Sequence, residues 1–267
     1  MNESPGDKSR ANAAPIAAVQ FRDVSYRLPN GRALLHQLSL EVKRGETMVL
    51  LGRSGSGKTT TLKLINSLLA VSGGDLQVEG RSLREWDVIS LRRRIGYVIQ
   101  DVGLFPHFTI RKNIGLVPSI EGWAPDRIHQ RVDELMRLVG LDSQIASRYP
   151  HELSGGQRQR AGVARALAAD PPILLMDEPF GALDPLTRVE LQREFLDLQS
   201  RLKKSVVFVT HDLREALLLA DRIALLDAGR LVTILTPGEF TKSEEPLVSA
   251  YVAAFSGDVR RNHKERP

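Results

Sequence analysis

The sequence predicts an α/β protein with a mostly parallel core sheet, an antiparallel β layer beside it and an inserted α-helical subdomain. Three observations predict this. Continuous apolar runs of strand length, "MVLL", "ILLM" and "VVFV", read as strands buried on both faces. Helical patterns separate them, as the crossovers of a parallel sheet require. Ahead of the first run, short alternating segments read as strands with one wet face.

Taken in order, residues 1–16 are rich in Ser, Pro, Asn and Ala and are expected to be a disordered tail. The ordered domain is expected over residues 17–256. "VQF" and "VSYRL" alternate, and "LPNGR" supplies a hairpin turn. "LSLEVKRG" alternates at Leu38, Leu40 and Val42 and stops at Gly45. The pattern changes at "ETMVLLG", where Met48, Val49, Leu50 and Leu51 are all apolar. A glycine-rich turn and the helix "KTTTLKLINSLLA" follow. Residues from about 101 to 165 are mostly helical in pattern and read as the inserted subdomain. "PILLMDE" and "SVVFVTHD" are the next two buried runs, and "IALLDAGRLVTI" is a late hairpin. Residues 257–267 are expected to be a basic tail.

The chain of 267 residues is long enough for one large domain with a subdomain. No apolar run approaches the roughly 18–20 residues that span a bilayer. The polar N-terminus is followed by no apolar signal region, so a soluble, cytoplasmic chain is expected. The absence of cysteine excludes disulfides and thiolate metal sites. The net charge is +5, much of the excess lying in "LRRRIG" and "VRRNHKERP". Without a recognition helix or an aromatic-interleaved basic stripe, these read as solvated surface, and no nucleic-acid partner is expected.

The chemistry starts at "GRSGSGKT", residues 52–59, which fits the phosphate-loop pattern G-x4-G-K-[ST] between a buried strand and a helix. Gly52, Gly55 and Gly57 let backbone N–H groups converge on phosphate oxygens, with Ser54 and Thr60 in the same cradle. The helix adds the positive end of its dipole. Lys58 can reach β- and γ-phosphates, and the Thr59 hydroxyl can ligate Mg²⁺. "ILLMDEP" ends a buried strand with two carboxylates. Alone, such a pair is more often a strand-end turn. Beside a phosphate loop, Asp177 is placed to hold Mg²⁺, and Glu178 to orient or deprotonate a water. His211 after "SVVFVT" and Gln100 after "IGYVI" end strands in the same way. The imidazole could contact a γ-phosphate and position water, and the neutral amide could touch Mg²⁺ or water.

A second glycine-rich stretch, "ELSGGQRQR", opens a helix a hundred residues downstream. Phosphate loop, glutamine, "LSGGQ", Asp-Glu strand, "GALD" and histidine come in an order that resembles the ATP-binding cassette of ABC transporters. The resemblance covers about residues 17–255. It implies active ATP hydrolysis with Mg²⁺ and a head-to-tail dimer with a second cassette chain, expected to be a second copy. Each ATP would lie between one chain's phosphate loop and the other chain's Ser154, Gly155, Gly156 and Gln157. It places Tyr26 where an aromatic stacks on adenine, although a strand tyrosine would read the same. It implies that Asp184 in "GALDP" links the two sites, and that Gln100 couples the site to integral membrane permease subunits. Leu104, Phe105, Phe108 and Ile110 would line an apolar groove for a permease helix, or else belong to the subdomain core. The cassette would then lie peripherally at the cytoplasmic face of the membrane.

One cassette and no heptad array set this chain apart from soluble relatives in translation and DNA maintenance. "IGYVIQDVGLFPHFT" and "NIGLVP" resemble importer cassettes for osmoprotectants: glycine betaine, choline and related quaternary amines. These act with a solute-binding protein. The chain departs from them in stopping before the regulatory domain pair many carry, and in having Arg111 and Lys112 where an acid is common. Cassettes for amino-acid import, export or lipid transport are the alternatives.

Overall fold

The computed structural model describes residues 16–264, with side chains as far as Phe255. The expected N-terminal tail lies outside the described residues but for Ile16, as do residues 265–267. In chain order the strands are β1 (Val19–Arg27), β2 (Ala33–Val42), β3 (Thr47–Leu51), β4 (Gly73–Val78), β5 (Arg81–Ser82), β6 (Ile95–Val98), β7 (Ile173–Asp177), β8 (Ser205–Thr210), β9 (Arg222–Asp227) and β10 (Arg230–Leu235). The helices are α1 (Lys58–Ile65), α2 (Val88–Arg93), α3 (Ile110–Ile114), α4 (Leu116–Ile120), α5 (Pro125–Leu138), α6 (Gly155–Leu167), α7 (Pro185–Leu202), α8 (Leu213–Leu219), α9 (Pro237–Phe240) and α10 (Pro246–Lys264). Helix α10 thus runs into the stretch expected to be a tail.

Among the described residues the strands form two sheets. One is antiparallel, in the order β2-β1-β4-β5; the other has the order β10-β9-β3-β8-β7-β6. In the second, all neighbours pair in parallel except the β9–β10 hairpin. Every residue of β3, β7 and β8 is buried, as their unbroken apolar runs require. Strand alternation divides each run between two cores. Met48 and Leu50 face the antiparallel layer, and Val49 and Leu51 face the helices. Helices α3 to α5 lie between β6 and β7 in the chain; α3 and α5 pack on α6, and α4 packs on α3 and α5. Their core residues include Ile110, Ile114, Val132, Leu135 and Met136.

Candidate active site

The order β3-β8-β7-β6 brings four parallel strands' carboxyl ends to one sheet edge, the place where open α/β sheets bind ligands. The loop after β3 turns through Gly55 at φ +80° and Gly57 at φ +102°, backbone that glycine adopts without strain. A Cβ on Gly57 would also stand 2.5 Å from Leu35. Gly57 caps α1 without a side-chain hydrogen bond, and the first turn holds no acid. Its N–H groups are therefore left to a ligand or water. Ser56 Oγ is buried with no hydrogen-bond partner. Ser54 is exposed and Thr60 half-buried in the first turn of α1.

Lys58 is buried, and its Nζ donates to the carbonyls of Gly52 at 2.7 Å and Arg53 at 2.9 Å. Burial pushes this ammonium below the usual lysine range, and the carboxylates of Glu178 and Asp177 oppose that shift. Thr59 Oγ1 donates to Asp177 Oδ1 at 2.9 Å, across 118 positions of sequence. Burial pushes the Asp177 carboxyl up, against the hydrogen bond from Thr59. A hydroxyl and a carboxylate this close form a hard-oxygen pair suited to Mg²⁺. The uncapped helix end and Lys58 suit phosphate oxygens.

Glu178 follows Asp177 with φ +44°, a left-handed backbone rare outside glycine. Its N–H donates to Val209 O at 3.0 Å, so β8 holds the strained residue in place. Glu178 Oε2 lies 3.1 Å from His211 Nδ1, the imidazole 63% exposed and the carboxylate 22%. Both line a cleft of about 530 Å³ together with Gly52, Arg53 and Ser54. A water in this cleft is within reach of a carboxylate base that an imidazole orients.

Two expected residues are not brought to the site. Tyr26 is only 9% exposed and belongs to the core between the two sheets. Pairing with Leu35 across β2, it shares the inward face of β1 with Val24, so its ring is spent on packing and offers no stacking face to a base. Gln100 stands beyond the end of β6, exposed, and no hydrogen bond among the described residues joins it to Asp177. Tyr97 instead approaches Asp177, its Oη 3.5 Å from Oδ2. Tyr251 and Ala254 of α10 also reach the cleft. Alternation puts Tyr97 on the face opposite Gln100, so nothing local pointed to Tyr97 or to α10.

The second glycine cradle lies on the surface. Ser154 caps α6, its Oγ accepting from Gln157 N at 3.2 Å. Its own N–H donates to Gln157 Oε1 at 3.0 Å, completing a capping box. Gly155 lies by Leu183, just ahead of α7, and Gly156 faces α7 itself, where a Cβ on it would come within 2.8 Å of Thr187. Asp184 is exposed at the N-cap of α7, accepting from Thr187 N at 3.1 Å. Hydrogen bonding from Thr187, first from its side chain and then from this backbone N–H, holds its carboxyl below the usual range. "LSGGQ" and "GALD" thus sit side by side.

The expected apolar groove divides. Ile110 is fully buried and Leu104 packs on the core, while Phe105 is 41% exposed and Phe108 half-buried. Their rings are 5.4 Å apart, with His107 against Phe108 at 4.5 Å. Asn113, fully buried, pins this loop. It accepts from Phe105 N and donates to the carbonyls of Phe105, Phe108 and Thr109.

The chain is 48% identical over 242 residues to the glycine betaine/carnitine/choline transport ATP-binding protein of Bacillus subtilis, covering 91% of this chain and 63% of that one. It is 50% identical over 214 residues to the glycine betaine uptake system ATP-binding protein of Escherichia coli, covering 80% and 69%. It spans about three fifths of the length of several curated relatives. Among solved structures, a dimeric bacterial ABC transporter cassette superposes with a TM-score of 0.74 at 31% identity, over 82% of this chain and 98% of that one. The same cassette is known as a post-hydrolysis dimer bound to ADP and Pi. A profile of the ABC transporter family matches residues 35–181. The phosphate loop and the Asp-Glu strand end meet at one sheet edge, the second glycine cradle lies at the surface, and the chain belongs to the ABC transporter family.

Proposed function

We propose that this chain is the ATP-hydrolysing subunit of an importer for small quaternary-amine osmoprotectants such as glycine betaine or choline. The observation that carries the chemistry is Glu178, strained and 3.1 Å from His211, beside the Thr59–Asp177 pair. Lys58, the α1 N-terminus and the loop glycines hold the phosphates. Mg²⁺ held by Thr59 and Asp177 would supply charge neutralisation between the β- and γ-phosphates. Glu178 takes the proton of the attacking water and His211 orients it. Gln100 serves from its exposed position outside the cleft, entering when a permease engages the adjacent loop.

Two copies pair head to tail. Ser154, Gly155, Gly156 and Gln157 of each close over the other's nucleotide, and Asp184 links the two sites. Residues 101–165 act as a subdomain whose exposed Phe105 and half-buried Phe108 meet the permease. The assembly works peripherally at the cytoplasmic membrane face; no described helix is long and apolar enough to cross a membrane. The cargo reading is supported by the relatives' names, since the site itself recognises nucleotide and not cargo. The test is ATPase activity of the transporter reconstituted with its permease and binding protein. Stimulation by betaine or choline is expected; stimulation by an amino acid or sugar alone overturns the cargo and leaves the ATPase standing.

A further inference from the structure

His211 follows β8 with its imidazole largely exposed. Among the described residues its ring has one hydrogen-bond partner, Glu178. A side chain so lightly held points where its own backbone sends it. Whatever fixes residues 210–212 therefore decides where the imidazole stands over the cleft.

That backbone is braced from beneath by a buried polar set which hydrolysis itself does not use. Thr210 ends β8 and is buried. Its Oγ1 donates to Glu215 Oε2 at 2.6 Å and accepts from Asp212 N at 3.0 Å. One hydroxyl thus ties together the two residues that flank His211. Glu215, buried on α8, accepts a second hydrogen bond on Oε1 from Gln192 Nε2 of α7 at 3.1 Å. Asp212 caps α8, accepting from Arg214 N at 2.7 Å. Its other carboxylate oxygen lies 4.0 Å from Arg188 Nη1 of α7.

A carboxylate is a costly way to fill this space, because burying one is unfavourable unless it is hydrogen-bonded. Helix α8 already buries Leu213, Ala216 and Leu219. What the carboxylate adds is an acceptor held in place by α7 and aimed at the Thr210 hydroxyl. With the hydroxyl proton given to Glu215, its lone pairs are left for Asp212 N. The turn that carries His211 is then set by side chains on both of its sides. Support of this kind holds a reacting group to a fraction of an ångström.

We propose that Glu215, acting through the Thr210 hydroxyl, is a positioning residue for His211 and fixes where its imidazole meets Glu178 and the attacking water. The proposal rests on the reading of His211 as the group that orients that water.

The test is the steady-state ATPase activity of the purified full chain. His211→Ala is expected to slow turnover, as the reading of His211 requires. Thr210→Val keeps the shape of the side chain and removes the hydroxyl. It should lower kcat about tenfold and change KM for ATP less than about twofold, within the range that misplacing a reacting group costs. Thr210→Ser, which restores the hydroxyl, should recover kcat. Glu215→Leu, which removes the acceptor, should lower kcat in the same way as Thr210→Val. In a His211→Ala background Thr210→Val should cost nothing further, since the group it positions is gone. A kcat unchanged by Thr210→Val or by Glu215→Leu overturns the proposal. So does a loss that Thr210→Ser fails to recover, or an equal loss in the His211→Ala background. Full turnover in His211→Ala alone overturns the reading of His211 and this proposal with it. Thr210→Ala is read in the same way if Thr210→Val does not fold.

Discussion

The chain carries two glycine-rich helix N-termini, and they differ in how their surroundings complete them. The cradle at residues 52–59 is furnished from within. Lys58 is buried, Thr59 is tied to Asp177 from another strand, and Glu178 and His211 stand over the same cleft. The cradle at Ser154 to Gln157 lies at the surface, Ser154 exposed and the other three half-buried. Its side chains are satisfied by each other in a capping box, with no cation or carboxylate of its own chain in that hydrogen-bonded set. The same helix-end physics thus stands once among charged partners from its own chain and once without them. A self-capped helix end holds its shape without ligand.

The largest effect is expected on the furnished side. Glu178→Gln should keep ATP binding and slow hydrolysis by at least about a hundredfold, the scale of general-base loss. Near-normal turnover in the purified variant would remove Glu178 from the role.

The comparison itself is broken or sharpened by mixed dimers read through vanadate trapping of nucleotide. With Lys58→Ala in one chain and Ser154→Arg in its partner, both lesions fall on one composite site and the other stays whole. With both lesions in one chain, each site carries one. If the second cradle serves the partner's nucleotide, trapping should be several times stronger in the first arrangement. The reverse ranking would place each "LSGGQ" over its own chain's nucleotide.

A smaller effect separates cap from ligand site. Ser154→Ala removes the α6 cap and should cost about 1 kcal/mol of unfolding free energy, measured by denaturant titration. A stability unchanged by the substitution would mean that the capping box does not hold the helix end.

The smallest concerns the support beneath His211. Glu215 is buried, accepting from Thr210 Oγ1 at 2.6 Å and from Gln192 Nε2 at 3.1 Å. Burial pushes its carboxyl above the ordinary 4.5, against the Thr210 hydrogen bond. The folded chain then holds this proton more tightly than the unfolded chain. Its contribution to stability is whole below the ordinary value and is lost as pH rises through the folded one. Glu215→Gln should flatten the fall of unfolding free energy with pH in that acid window. An unchanged slope would assign it to other groups.

Much of the site was legible because its parts are short and their backbone demands are local. Gly55 and Gly57 need left-handed backbone, and Lys58 opens a helix after a buried strand. Asp177 and Glu178 end another such strand, and all of this is contained in "GRSGSGKT" and "ILLMDEP". Tyr26 misled for the converse reason. An aromatic before a turn looks the same whether its ring faces a ligand or the core, and strand register decided for the core. Asn113 was passed over because its three backbone acceptors lie in a loop whose path the sequence leaves open.

By itself the sequence determined the parallel strands, the phosphate loop, the acidic strand end and the self-capped second helix. Each follows from contiguous residues acting through burial, φ preference or a one-turn hydrogen bond. Only the tertiary structure decided which distant groups meet. Strand order set Thr59 against Asp177 and Glu178 against His211. Helix packing brought α10 to the cleft. Such contacts join residues far apart in sequence, so they depend on how whole faces pack, and no local pattern records that.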